Sequence, residues 1–227
     1  MVLIAQRMFS LIITVLQRIM NAKIVLSALS LAISLSLVSC GGEKATDNEA
    51  TIEAEVEQYG FTSNETGGKI YVNASDYASW QYIDIVGKHI ASAAVGEKSP
   101  EKWQFAIHRF DVKTNSGKVL ETSVTDFSGI NEETLRGEYV PDVVSNKIAT
   151  DMSGMRSGNV KYAEDGYNAV LSRWMDMDMT NMPPSFTLSG RVYVLQTVDG
   201  AKIALKFTGF RNIDNQLGFV TIEYRLL

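Results

Sequence analysis

The sequence is 227 residues long, with 45% hydrophobic and 21% charged side chains, and its 21 basic residues are outnumbered by 26 acidic ones. That composition is globular, and the negative balance speaks against nucleic acid as a partner. Cys40 is the only cysteine, which rules out an internal disulfide and a cysteine-built zinc site.

The first forty residues read as a targeting segment. Asn21-Ala22-Lys23 follows Met20 and leads into an apolar run from Ile24 to Val38, closing on Leu37-Val38-Ser39-Cys40-Gly41-Gly42. A basic start, a short apolar stretch and a small residue at the cut site make a secretory signal, and the Leu-Val-Ser-Cys ending matches the bacterial lipobox, whose cysteine is acylated. Arg7, Arg18 and Lys23 interrupt the apolar content, which argues against a membrane-spanning helix and for Met20 as the initiator. Residues 1–39 are therefore expected to be a signal peptide. Residues 40–68 are expected to be a lipidated Cys40 and an acidic flexible linker, since Glu43, Asp47, Glu49, Glu53, Glu55 and Glu57 come with no aromatic neighbour before Tyr59. Losing Arg7, Arg18 and Lys23 leaves 18 basic against 26 acidic side chains, a formal charge of −8, on a chain that meets the membrane only through its lipid anchor.

Residues 69–227 are expected to form a single, mostly antiparallel all-β domain. Ile70-Tyr71-Val72 and Trp80 to Val86 are β-rich, with Asn73-Ala74-Ser75-Asp76 as the turn between them. Trp103 to Val112 reads as one alternating strand, and Asn115-Ser116-Gly117 as a hairpin connection to Val119–Val124. The clearest hairpin joins Arg191–Val198 to Ala201–Gly209 through Asp199-Gly200, a pair suited to a type I′ turn. Phe219 to Leu226 is the last strand, and helical periodicity is absent throughout.

Once the signal is set aside, every methionine falls between Met152 and Met182: Met152, Met155, Met175, Met177, Met179 and Met182. Core filler would be scattered among the strands instead. Trp174-Met175-Asp176-Met177-Asp178-Met179 alternates strictly, so an extended segment puts three thioethers on one face and two carboxylates on the other. Thioethers are soft donors suited to Cu(I) and to haem iron. Only His89 and His108 are present; His89 lies in a loop-like stretch without a role, and His108 reads as a scaffold hydrogen-bonding residue. Nucleophile elbows and phosphate loops are missing from the sequence, so a binding protein is favoured over an enzyme.

Ala74-Ser75-Asp76-Tyr77, Trp80-Gln81-Tyr82, the segment Trp103 to Val112 with its Trp-x-x-Ala-x-His-Arg core, Arg191-Val192-Tyr193-Val194, Asp199-Gly200 and Phe207-Thr208 together resemble the HmuY family of haem-binding lipoproteins of the Bacteroidetes. The resemblance implies a nearly all-β domain whose finger-like strands hold haem between two axial side chains. It further implies a haemophore at the cell surface, anchored in the outer membrane, which serves iron acquisition by passing haem to a TonB-dependent receptor, with host haemoproteins as further partners. The best-known member uses two histidines. Register against Arg191 places Met179 at the second ligand position, and Gly154-Met155 matches the first, with Met152 and Met177 as the alternatives. Some members likewise use two methionines. Tyr162, Tyr167, Trp174 and Phe186 are then the expected pocket walls by nearness in sequence. Two neutral thioethers favour Fe(II) over Fe(III) relative to two imidazoles, which suits carriage of the cofactor. The residues alone leave two rivals, a Cu(I)-binding lipoprotein using Met-x-Met-x-Met and a glycan-binding surface lipoprotein with an exposed Trp and Tyr platform.

Mass spectrometry of the membrane-extracted protein is expected to show a mature chain that begins at an acylated Cys40. A chain that begins upstream, or a free thiol at Cys40, would contradict the lipobox reading.

Overall fold

Runs rich in Val, Ile, Tyr and Phe, punctuated by Gly, Asn and Asp, set the chain into fifteen strands with no α-helix among the described residues. The structure is a computed structural model that describes residues 59–227 except Glu65, Asn181 and Met182; the signal segment, Met20, Cys40 and most of the acidic stretch lie outside the described residues.

β1 (Gly60–Ser63) and β2 (Gly67–Asn73) pair antiparallel. β3 (Ser79–Asp84), β4 (His89–Ala94), β5 (Phe105–His108) and β6 (Asp111–Thr114) form a four-stranded sheet in the order β4-β3-β5-β6. After β7 (Lys118–Glu121) and the two-residue β8 (Val140–Pro141), the chain leaves the sheets in a long hairpin, β9 (Val143–Gly154) and β10 (Asn159–Tyr167). A second, shorter hairpin follows, β11 (Met175–Asp178) and β12 (Ser185–Leu188). β13 (Tyr193–Gln196), β14 (Lys202–Arg211) and β15 (Leu217–Leu226) complete a seven-stranded sheet in the order β1-β2-β15-β14-β13-β7-β8. Every pairing is antiparallel, so the all-β expectation holds.

Several local expectations are corrected. The domain starts earlier than residue 69: β1 lies inside the range assigned to the linker, paired with β2 and with Phe61 edge-on to Tyr224 at 6.1 Å. Trp103–Val112 is not one strand but the β5–β6 hairpin, with His108 opposite Asp111 and Arg109 at φ 53° in the turn. β6 and β7 do not pair; Asn115-Ser116-Gly117 carries the chain from one sheet to the other. The β13–β14 hairpin forms, but by a wider turn than type I′. Gly200 donates to the Thr197 carbonyl at 3.0 Å and only Gly200 of the Asp-Gly pair has a positive φ, 89°. His89 opens an edge strand opposite Asp84 and is not in a loop.

The main core lies among Ile70, Val72, Ile83, Phe105, Ile107, Val112, Tyr193, Leu195, Leu205, Phe207, Val220 and Ile222. Each such side chain contributes about 1.5–3 kcal/mol on leaving water. Trp80, Tyr82, Trp103, Ala106 and Ile148 make a second cluster, and Ile148 belongs to β9. An isolated two-stranded hairpin is marginal in water, so both projecting hairpins need anchors. β9–β10 has Ile148, and it has Asp165, which accepts from Trp80 Nε1 at 2.9 Å and pairs with the buried Lys113 Nζ at 2.8 Å. Lys113 Nζ also lies 4.3 Å from the centre of the Trp80 ring. At the foot of β9 the Asp142 carboxylate accepts from Thr114 N at 2.6 Å, from Thr114 Oγ1 at 3.0 Å and from Asn168 Nδ2 at 2.9 Å. Burial raises the pKa of Asp142 despite these bonds.

Asp165→Asn is expected to lower the unfolding free energy by roughly 3 kcal/mol in a urea titration, because it strands the Lys113 ammonium in a buried site. Adding Lys113→Met should recover much of the loss. A single variant as stable as the parent would show that the ion pair does not hold the hairpin.

Candidate functional site

The methionine strand leaves the core at Trp174. That ring is fully buried, stacks on Phe207 at 4.5 Å and donates from Nε1 to the Phe110 carbonyl at 2.9 Å. Met175, opposite Leu188, is still inside the core at 8% exposure. Two residues on, Met177 stands opposite Phe186 at 41% exposure, because the hairpin has by then cleared the sheets. Asp178 ends the strand with an Asx turn, accepting from Thr180 N at 2.8 Å and Thr180 Oγ1 at 2.6 Å. The same Thr180 bonds hold the Asp178 carboxyl below the usual carboxylate range. Met179 sits in this turn, 51% exposed, and Met182 lies outside the described residues. Asp176 and Asp178 are solvent-exposed.

The β9–β10 hairpin presents the other candidate ligand at its tip. Gly154 is required there, since a Cβ would clash with the Asn159 carbonyl oxygen, and Gly158 closes the turn at φ 76°. Between them Met155–Ser157 makes one 3-10 turn, with Ser157 Oγ donating to the Gly154 carbonyl at 2.9 Å. Met155 is 48% exposed and Met152, on β9, is half-buried. Lys161 bonds Asp151 across the hairpin at 2.8 Å, and that bond, with those from Ser153, holds the Asp151 carboxyl well below its ordinary range. Met155 and Met179 thus occupy separate hairpins that share no strand pairing.

The expected walls separate into surface and core. Tyr162 is exposed on β10, on the Met155 hairpin. Phe186 is half-buried and packs on Phe110 and Phe210 at ring distances of 5.6 and 6.1 Å. Tyr167 packs against the Trp80 cluster at the foot of β10. Trp174 presents no surface at all, so its part is to root the strand and not to wall a ligand. Sequence reading missed Val143 and Val144, both exposed at the start of β9. The only signal for them was an apolar pair directly after the turn-like Pro141-Asp142. Half of the exposed large apolar side chains among the described residues are Val143, Val144, Met155, Tyr162, Met177 and Met179, which concentrates such surface on the two hairpins.

The competing sites are chemically weaker. A concavity of about 1000 Å³ opens among the turns at Val86-Gly87, Asn115-Ser116 and Thr197–Ala201, but its walls hold no methionine, histidine or cysteine to serve as a donor. His108 is 1% exposed, with Nε2 donating to the Tyr77 carbonyl at 2.8 Å, so it is part of the scaffold. The next residue, Arg109, donates from its guanidinium to the Ser75 and Leu217 carbonyls at 2.8 and 3.2 Å. All three tryptophans, Trp80, Trp103 and Trp174, are buried, which removes the tryptophan platform that a glycan-binding reading needs.

A search of curated proteins found no match. Among solved structures, a Bacteroides vulgatus protein assigned as HmuY-like and haem-binding is 42% identical, with a TM-score of 0.69 over 74% of this chain and 97% of that one. A Bacteroides fragilis protein assigned as a lipoprotein is 36% identical, also at 0.69, over 74% of this chain and 94% of that one. The apo form of a Tannerella forsythia HmuY analogue, 24% identical, shares the fold at 0.59, over 72% of this chain and 98% of that one. The family model for HmuY protein matches residues 76–224, about two thirds of the sequence, and the chain therefore belongs to the HmuY family.

Proposed function

We propose that this protein binds haem at its two hairpins, with Met155 and Met179 as the axial ligands, and acts as a haemophore at the cell surface. The observation that carries the reading is the exposure of Met155 and Met179, each about half accessible, on a protein whose remaining large apolar side chains are mostly packed away. The donor chemistry fits: thioethers are soft ligands that haem iron accepts, and Tyr162, Val143 and Val144 offer apolar surface for a porphyrin. The assignment of the 42%-identical Bacteroides vulgatus relative as haem-binding supports the same cargo here.

Haem supplies an iron centre whose two axial positions these thioethers would fill, leaving none open for substrate, which suits transport. The chain's own residues do the remaining work. Trp174 and Ile148 root the hairpins, the Asx turn at Asp178 sets the place of Met179, and the glycine-framed turn sets that of Met155. Neutral sulfur donors favour the ferrous state, so binding strengthens on reduction. Cys40 anchors the domain in the outer membrane through its acyl chains, and the assignment of the Bacteroides fragilis relative as a lipoprotein supports that attachment. The haem then passes to a TonB-dependent receptor, and host haemoproteins are its source.

Haemin titrated under reducing conditions is expected to give the sharp Soret band of low-spin iron. Met179→Ala should abolish it and Met155→Ala should weaken it severely, while Met152→Ala and Met177→Ala leave it largely intact. Met175→Ala should keep the spectrum but cost about 2 kcal/mol of stability, since its side chain is buried. His108→Ala should lower the melting temperature and preserve the spectrum of the folded fraction. Tight Cu(I) binding with only broad, nonspecific haem absorption would replace this reading with copper carriage, which the paired exposure of Met177 and Met179 would serve.

A further inference from the structure

The oxidisable side chains of the described residues are unevenly placed. Met155, Met177 and Met179 are 48%, 41% and 51% exposed, whereas Met175 is 8% exposed and the tryptophans Trp80, Trp103 and Trp174 are at 0%, 9% and 0%. Cys40 is the chain's one cysteine, and the lipid thioether expected on its sulfur would leave no thiolate to consume an oxidant first. The sulfurs that a hydroperoxide meets in the folded domain are thus those at the two hairpins.

We propose that Met155 and Met179 form an oxidation switch: hydroperoxides convert these two thioethers, along with that of the exposed Met177, to sulfoxides ahead of Met175, and the loss of the two ligand sulfurs ends haem capture while the domain stays folded. The inference rests on the haem site proposed above. In each event the methionine sulfur attacks the terminal peroxide oxygen, the O–O bond breaks, an S–O bond forms, and the attacked oxygen's proton passes to the second oxygen, which leaves as water from hydrogen peroxide or as the alcohol from an organic hydroperoxide. The sulfur is oxidised by two electrons and the peroxide reduced by two. The fold survives because these three side chains are already about half open to water, whereas a polar oxygen on Met175 would have to be accommodated within the core. Capture fails because the sulfoxide is a harder, more polar group and no longer offers the soft sulfur that favours ferrous iron. The change is reversible, since the two classes of methionine sulfoxide reductase restore the thioether.

The test uses the full mature chain carrying Met182→Leu, which removes the one methionine of this segment whose surroundings the structure does not describe. Untreated protein is first titrated with haem under reduction. A second sample is treated with hydrogen peroxide, cleared with catalase, and followed by peptide mass spectrometry, thermal melting and the same titration. The expected result is sulfoxide at Met155, Met177 and Met179 forming at least fivefold faster than at Met175, an unchanged melting curve, and haem affinity at least tenfold weaker. Treatment with both reductases should restore it. Oxidation of Met175 in step with the others, collapse of the melting transition, or undiminished haem uptake by the oxidised protein would each overturn the switch and leave the haem reading standing. Failure of the untreated protein to bind haem would instead overturn the haem reading, and the switch with it.

Discussion

The stacking of Trp174 on Phe207 decides where the methionine-bearing strand leaves the core. Its indole touches the seven-stranded sheet through Phe207 and the turn of the smaller sheet through the Phe110 carbonyl, so one side chain fixes the root of β11 against both layers. A two-residue period then does the rest: Met175 points into the core, and Met177, the next on that face, emerges beyond it. The longer hairpin depends on an equivalent constraint, Asp165 held between Trp80 and Lys113. Without such anchors neither hairpin has enough apolar surface of its own to stay formed.

The residues that carry the family likeness are not the residues proposed to touch haem. Ala74–Tyr77 and Trp103–Asp111 are bound to each other, through His108 to the Tyr77 carbonyl and Arg109 to the Ser75 carbonyl, with the Arg109 guanidinium 4.5 Å from the centre of the Tyr77 ring. They build the platform from which the hairpins project. The bonds described at the hairpin tips are local ones, Ser157 to the Gly154 carbonyl and Thr180 to Asp178, and ligand chemistry there can change while the platform is retained. On the haem reading proposed above, that separation would let the scaffold stay constant while the ligating side chains differ.

How much of this was legible in the sequence follows from burial. Strands with one buried face, such as β2 and β15, show alternation and were readable, as was the Asp199-Gly200 connection. The β9–β10 hairpin was not readable as a hairpin, because most of β9 is exposed or half-exposed and only Ile148 is fully buried, which leaves no period to detect. β1 was hidden by its length of four residues and its opening glycine. Asn115-Ser116-Gly117 looked like a hairpin because turn chemistry is local, whereas the choice of sheet for the next strand is made by distant partners, β13 for β7. For the site, the methionine window was visible as composition. Which sulfurs are exposed, and that Trp174 is a root and not a wall, could come only from packing.

The central claim is that two thioethers from separate hairpins take the two axial positions of ferrous haem. The most direct measurement is NMR of the reduced complex with the methionine methyl groups labelled in carbon-13, assigned through single substitutions. An axial methionine lies directly over the porphyrin, whose ring current shifts its methyl signal far upfield. The account predicts two such signals, belonging to Met155 and Met179, with the methyl of Met175 near its position in the haem-free protein. Upfield signals assigned to a different pair, or no strongly shifted methionine signal in a complex whose iron is nonetheless low-spin, would contradict it.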